Sequence, residues 1–362
     1  MKKAIKFLLL LPLILVIQSC SQMVTAPQAP SRVDKAFDPD QKVRVGFIAP
    51  LSGNNATTGR ALLHSAQLAM HDKRIADINL VPIDSNSGMI AEKLLSENID
   101  IVAGPLFSSA TSAVVATAST VGIPVFSFSN DPGLRSSGLY ALGITIEDQV
   151  KSVVKAAKQD GRDNFFMVTP ESRYGDMVRS AANHADVRLI KDYQYNPADR
   201  VLGFNHIVAD MKSGTDEDEK YGVIFPDDGP KMLEFARTLQ LNFEGTDIVM
   251  LGSSKWDSPK VYASHRDLLR DSYYPALNRA KLNSYQREFT QSFGYNPPII
   301  ATLGYDAILI IEEMVSDLKA KNANILDYTI VEGKRFNNLI TGPMIINSDR
   351  SISRFLNANQ VR

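Results

Sequence analysis

The apolar positions of this chain fall into short runs separated by amphipathic segments, and the alternation repeats from Val43 onward. Val43 to Ala49 reads VRVGFIA, whose length and β-branched content predict a buried strand. Pro50 to Gly59 is rich in turn residues, after which Leu62, Leu63, Ala66, Ala69 and Met70 recur at helical spacing. The same grammar predicts strands at Leu80 to Asp84, Ile99 to Ala103 and Ile123 to Phe128, with helices over Met89 to Glu97 and from Ser109 between them.

A second series starts near Glu147. It predicts helices over 148–159, 174–183, 203–212 and 230–240, alternating with strands at Phe165 to Thr169, Val187 to Tyr193, Tyr221 to Phe225 and Asp247 to Gly252. Alternating strands and helices at this pitch force a parallel sheet with helices on both faces. Two such series imply two lobes, so the expected fold class is α/β, each lobe a doubly wound parallel sheet flanked by helices. The rhythm breaks at Asp271 to Leu277, a connecting strand, after which two long helices are expected over 279–293 and 299–319. The end reads as a hairpin turning at Asn347 to Arg350. Open α/β sheets hold ligands beyond the carboxyl ends of their strands. The polar end of VFSFSND, Val125 to Asp131, therefore points toward a site, although a strand simply meeting its turn would read the same way.

Upstream of Val43 the pattern changes. Lys2, Lys3 and Lys6 precede an apolar run from Phe7 to Ile17 and then Gln18-Ser19-Cys20, the order of an export signal. The run is too short to span a bilayer. Residues 1–19 are accordingly expected to be a signal peptide. Cys20 is the single cysteine, which excludes an intramolecular disulfide. Residues 20–41 carry Pro27, Pro30 and Pro39 with little periodicity, which is the character of a flexible tether.

Lys plus Arg number 39 against 40 Asp plus Glu, and loss of the three leader lysines makes the balance more negative. Nucleic acid as a partner requires clustered positive charge and is not expected. The enzyme motifs are weak. Ser152-Val153-Val154-Lys155 matches S-x-x-K and Lys212-Ser213-Gly214 a K-[ST]-G element, but no convincing S-x-N element lies between them. His64, His71, His184, His206 and His265 show no metal-ligand spacing. No G-x-S-x-G elbow or phosphate loop occurs, so the expectation is a non-enzyme with neither metal nor cofactor.

Ile17-Gln18-Ser19-Cys20 resembles a bacterial lipoprotein box, which implies lipidation at Cys20; an ordinary cleaved signal with a chance cysteine is the alternative. In lipoproteins Ser, rather than Asp, after the cysteine favours the outer membrane, so a lipid-anchored periplasmic address is implied. The mature chain resembles type I periplasmic binding proteins of the Leu/Ile/Val-binding group through APLSGNNATTGRALLHSAQLAMHD, AGPLFSSATS, IPVFSFSNDP, PESRYGD and TLGYDAILIIEEM, in order. Within that group PLSG, GPLF, FSND, LGSSKWD, FGYNPP and GYDA are similar to a lipoprotein branch known as penicillin-binding protein activators.

The resemblance implies two lobes joined by three hinge crossings, near Gly143 to Glu147, Ser272 to Ala276 and Thr341 to Met344. The first lobe would comprise 42–144 plus 275–341, the second 145–274 plus 342–362. A small polar, amino-acid-like ligand would sit between them. Ser108 and Ser109 would offer hydroxyl and backbone N–H groups, with Ser108 as a plain N-cap the alternative. Ser129 falls at a carbonyl-presenting position, and Asp131 falls where the family presents a neutral hydroxyl. A carboxylate there would attract an ammonium and repel a carboxylate. Tyr174 matches the family's cleft aromatic, or else is a core tyrosine. The family's ammonium-binding acid would fall at Ser253-Ser254, where no acid stands. Asp227, with Asp228, Lys255 and Trp256, is a rim candidate or a plain surface group. The implied partners are an ABC permease, if the protein serves transport, or a peptidoglycan synthase, if it regulates cell-wall synthesis.

Overall fold

The computed structural model describes residues 41–131, 133–134, 138–199, 203–257, 265–324 and 327–361. The signal peptide, Cys20 and nearly all of the tether lie outside the described residues.

Among the described residues, one parallel and one largely parallel sheet carry the fold. The first contains β1 (Val43–Ala49), β2 (Ile78–Asp84), β3 (Ile101–Ala103), β4 (Val125–Ser127) and β5 (Leu139–Ala141), in the order β2-β1-β3-β4-β5, all parallel. Alternate residues of each strand face opposite sides. Val45, Phe47 and Ala49 pack against α1 (Ala56–Asp72), whereas Ile48, Val102 and Val125 pack against α2 (Ile90–Ser96) and α3 (Ser108–Thr120).

The second sheet uses β6 (Asn164–Pro170), β7 (Arg188–Tyr195), β8 (Lys220–Ile224), β9 (Asp247–Leu251), β10 (Tyr273–Ala276) and β14 (Asn357–Gln360), ordered β14-β10-β9-β8-β6-β7. Only β14 runs antiparallel to its neighbour among these described strands. One face packs on α4 (Ile146–Gln159) and α5 (Arg173–His184) through Phe165, Met167 and Val249. The other packs on α6 (Asn205–Ser213) and α7 (Gly229–Asn242) through Phe166, Val223 and Phe225. Capping fixes the starts of two second-lobe helices: Thr145 and Asp148 form a reciprocal capping box on α4, and Ser172 accepts the Gly175 N–H on α5.

The last long helices, α8 (Arg279–Phe293) and α9 (Thr302–Ala320), return to the first lobe, where Phe289, Ile308 and Ile311 join its core. A short antiparallel ribbon of β11 (Arg335–Phe336), β12 (Met344–Ile346) and β13 (Ile352–Arg354) follows, its hairpin turning at Asn347 to Arg350.

Among the described residues the chain passes between the sheets three times, and two of the passages differ from the sequence expectation. The first lies at 142–145, ahead of α4. The second lies at Leu277-Asn278 rather than Ser272 to Ala276, because Tyr273 to Ala276 is itself a strand of the second sheet. The third lies at Phe355-Leu356 rather than Thr341 to Met344. Met344 and Ile346 are fully buried in the first lobe's core beside Phe336, so the ribbon stays with that lobe and only β14 crosses.

Candidate functional site

In a sheet ordered 2-1-3 the chain winds outward in both directions from the gap between β1 and β3, and a crevice opens at the carboxyl ends of those strands. The loop after β3, Gly104 to Phe107, lies there and feeds α3. In the second sheet the reversal falls between β6 and β8; Tyr174, in the first turn of α5, follows β6, and Asp227 lies in the loop after β8. Fold topology alone therefore aims both groups of expected residues at the space between the sheets.

That space holds a cavity of about 560 Å³. Leu106, Phe107, Phe128 and Asn130 line it from the first lobe, joined by Ile299, Ile300, Thr302 and Leu303 from the segment entering α9. Gln149, Ser254, Lys255 and Asp257 line it from the second lobe. All three crossings contribute, through Gly143 and Ile144, Leu277, and Leu356. The lining is mainly apolar with a few polar groups, the usual character of a small-molecule site.

The first-lobe loops are registered on one another by Ser127. Its hydroxyl lies 2.9 Å from the Thr111 hydroxyl and 3.0 Å from the Pro105 carbonyl, and it accepts the Ser129 N–H at 3.1 Å. Ser129 is buried; its Oγ accepts the Asp131 N–H at 3.2 Å and its carbonyl accepts the Gly143 N–H at 3.2 Å. Gly143 is the only residue type that fits this contact, because a Cβ there would meet the Ser129 carbonyl at 2.5 Å. Asp131 is half-buried, and its carboxylate accepts the Gly133 N–H at 2.9 Å, the bond of an Asx turn. The carboxylate that looked anomalous in the sequence is thus engaged by its own loop.

Ser108 and Ser109 are the first two residues of α3, and the cap position belongs to Phe107, whose side chain caps nothing. The N-cap alternative for Ser108 is set aside by that geometry. The α3 terminus offers backbone N–H groups without a capping side chain.

In the second lobe, Tyr174 is half-buried, donates to the Pro226 carbonyl at 3.2 Å and carries the Lys255 ammonium 5.5 Å above its ring. Burial raises the Tyr174 hydroxyl above its ordinary pKa. Lys255 also pairs with Asp228 at 3.4 Å. The Asp227 carboxylate is turned away, accepting the Tyr195 hydroxyl, while its carbonyl accepts the Trp256 indole N–H at 2.8 Å. Trp256 is 1% exposed and belongs to the core, not to the rim. Its ring lies so close to Gly252 that a Cβ there would sit 2.2 Å from it.

Of the six expected residues, Ser108 and Ser109 open α3, Tyr174 stands in the first turn of α5, and Ser129, Asp131 and Asp227 lie in loops, but the residues that line the cavity are their neighbours Phe107, Phe128, Asn130, Ser254 and Lys255. Ser129 is brought together with Asp131, and Tyr174 shares a cluster with Asp227 and Lys255. Asp257 was missed: it is the acid that lines the cavity, its side chain 22% exposed, 3.5 Å from Arg279. Burial pushes its carboxyl up, opposed by Arg279. Gln149, which accepts the Ser254 N–H at 3.1 Å and bridges α4 to this turn, was also missed. Ser127 and Ser129 alternating with Phe126 and Phe128 across the end of β4 were the available signal for a polar face; Asp257 carried none beyond following a tryptophan.

Ser152, of the S-x-x-K match, donates to the Gln149 carbonyl at 2.8 Å within α4, and Lys212 lies on α6. Among the described residues no group of His, Cys, Asp and Glu is placed to hold a metal ion, and no helix is long and apolar enough to cross a membrane.

The periplasmic binding protein family profile matches residues 42–354. An uncharacterized protein of Rickettsia prowazekii (strain Madrid E) is 21% identical over 272 residues, covering 71% of this chain and 70% of its own. The structure of a putative branched-chain amino acid ABC transporter from Rhodospirillum rubrum superposes with a TM-score of 0.75 at 16% identity, covering 89% of this chain and 98% of the other. Full-length LpoA from Haemophilus influenzae gives 0.69 at 17% identity, covering 90% of this chain and 58% of LpoA. With the two mainly parallel sheets, the three crossings and the cavity between them, these matches place the chain in the type I periplasmic binding protein family.

Proposed function

We propose that this protein is a non-catalytic solute receptor, anchored through Cys20 to the outer membrane on its periplasmic side, which binds a small ligand between lobes 42–144 plus 277–355 and 145–276 plus 356–362. The cavity of about 560 Å³, lined from both lobes and all three crossings, carries this reading. Its apolar lining favours a ligand with a substantial aliphatic or aromatic body. Asn130, Gln149 and Asp257 supply polar contacts, and the uncapped α3 start at Ser108 and Ser109 lies nearby for a polar head. This refines the amino-acid-like ligand expected from sequence: the apolar part dominates. Ser129 and Asp131 shape the first-lobe wall, and Tyr174 and Asp227 the second.

Thermal shift against aliphatic amino acids, aromatic carboxylates and muropeptides tests it. A ligand present at 100 times its dissociation constant stabilises by about 2.7 kcal/mol, which for a folded part of roughly 320 residues raises Tm by about 4 °C. If every compound in the panel leaves Tm unchanged, the receptor reading fails. Blocking lipoprotein signal peptidase should leave the precursor uncut; normal cleavage under the block would remove the anchor from the proposal.

The similarity to LpoA over 90% of this chain favours a second reading, in which the fold regulates a peptidoglycan synthase through protein contacts. An outer-membrane tether suits it, since a transport receptor must reach an ABC permease in the inner membrane. Co-purification of a synthase domain with no ligand response would select it.

A further inference from the structure

We propose that Arg354 is a positioning residue for the cleft, the centre of a buried polar joint that ties the first and third crossings to both lobes and thereby sets the angle between them. The proposal builds on the cleft being the functional site, but its test needs no ligand.

Arg354 is the last residue of β13, one step before the third crossing, and is 5% exposed. Its guanidinium donates to the Thr341 hydroxyl and, at 2.5 Å, to the Leu142 carbonyl on the first crossing. Its backbone N–H reaches the Asp148 carboxylate of α4 at 3.3 Å. That carboxylate also accepts the Thr145 N–H and hydroxyl at 2.9 and 2.8 Å. On the first-lobe side Asp306 of α9, 2% exposed, accepts the Ile340 and Thr341 N–H groups, each at 2.8 Å, and the Thr341 hydroxyl at 2.6 Å. Thr341 is therefore a relay: one hydroxyl donates to Asp306 and accepts from Arg354. One connected set of bonds runs from the first lobe through both crossings into the second.

Two carboxylates and one guanidinium buried together are stable only while their hydrogen bonds are made, because an unpaired buried charge is strongly disfavoured. Rotating the second lobe moves Asp148 and the α4 start relative to Asp306 and Thr341, and stretches the bonds at Arg354. The joint therefore favours one interlobe angle over its neighbours. It also acts on the cavity directly: Gly143 and Ile144 follow Leu142, and Leu356 lies two residues beyond Arg354. Among the described residues the Arg354 Nε has no hydrogen-bond partner, so the joint is held through the two terminal nitrogens and the backbone N–H.

The test measures the interlobe distance by pulsed electron spin resonance. Spin labels at Glu92→Cys on α2 and Arg237→Cys on α7, both exposed positions, are placed in a full-length Cys20→Ser chain. The unmodified joint should give one narrow distance distribution. Arg354→Met and, independently, Thr341→Val should broaden it or add a second population, with Arg354→Lys restoring part of the narrow peak. Hydrogen exchange within each sheet should remain protected, separating lost positioning from lost folding. If Arg354→Met does not fold, Thr341→Val decides alone. A folded Thr341→Val chain with the unaltered narrow distribution would overturn the proposal, even if its Tm falls.

Discussion

Gly143→Ala is the sharpest probe of how the first lobe seats on the first crossing. The residue is buried, and an added Cβ would meet Ser129 C and O at 2.5 Å and Asn130 N at 2.6 Å, all backbone atoms that cannot swing aside. Gly143 has no positive φ, so the penalty is steric and not conformational. Overpacking of this kind costs about 1–3 kcal/mol. Displacing the loop also weakens the Gly143 N–H bond to Ser129, worth about 1 kcal/mol. Together they predict a loss of about 2–4 kcal/mol, which at about 1.5 °C per kcal/mol for roughly 320 folded residues lowers Tm by roughly 3–6 °C. The assay is differential scanning calorimetry beside Gly214→Ala, where a Cβ meets nothing closer than 3.6 Å and the change should stay within about 1 kcal/mol. Should the two variants melt together, the Ser129 loop is not held against the first crossing at Gly143.

Asp131→Ala should leave the protein folded, with a Tm loss of no more than a few degrees, because only the turn bond to Gly133 is removed; collapse of the fold would show that this loop has a larger structural role. In binding assays the same variant should alter ligand preference only modestly, since Phe128 and Asn130 line the cavity instead; complete loss of binding would restore Asp131 as a direct contact. Burial raises the Asp306 carboxyl above its ordinary 3.8, so the folded state holds a proton that the unfolded state has released, and stability falls as pH rises from 3.8 through the raised value. Asp148 is shifted the same way, also mainly by burial. Asp306→Asn should therefore flatten part of that slope in pH-dependent urea melts, and an unchanged slope would show that Asp306 does not titrate in this window. Asp257→Asn should weaken binding of ligands that carry an ammonium more than those that do not, measured by calorimetric titration; equal effects would place Asp257 outside the contact set.

The alternation of buried strands and amphipathic helices was legible because both signals are periodic and long. β1 and α8 were expected at the bounds observed, and the hairpin at Asn347 to Arg350 follows from its turn residues. β5 and β11 were not, being three and two residues long, too short to display a period. The third crossing was misplaced for a related reason. Met344 and Ile346 read as an apolar strand whichever lobe receives them, and only their packing beside Phe336 decides.

The site was legible to the level of the loop but not of the side chain, and the cause is geometric. A shift of one residue along an extended segment turns a side chain to the opposite face. Matching the loop to a family motif selected Ser129 and Asp131, yet the residues that line the cavity are Phe128 and Asn130. The alternation FSFS already holds the discrimination. Ser127 and Ser129 spend their hydroxyls on Pro105 and the Asp131 N–H, holding two loops in register, and that internal use leaves the cavity wall to their neighbours. The same logic separates the two second-lobe acids. Asp227 lies in the loop after β8 and is captured by Tyr195, whereas Asp257 stands past Trp256 at the cavity wall. A buried tryptophan anchored by its indole N–H to the Asp227 carbonyl fixes where the following residue emerges. The aromatic that looked like a rim contact thus acts from the core, by aiming the acid beside it.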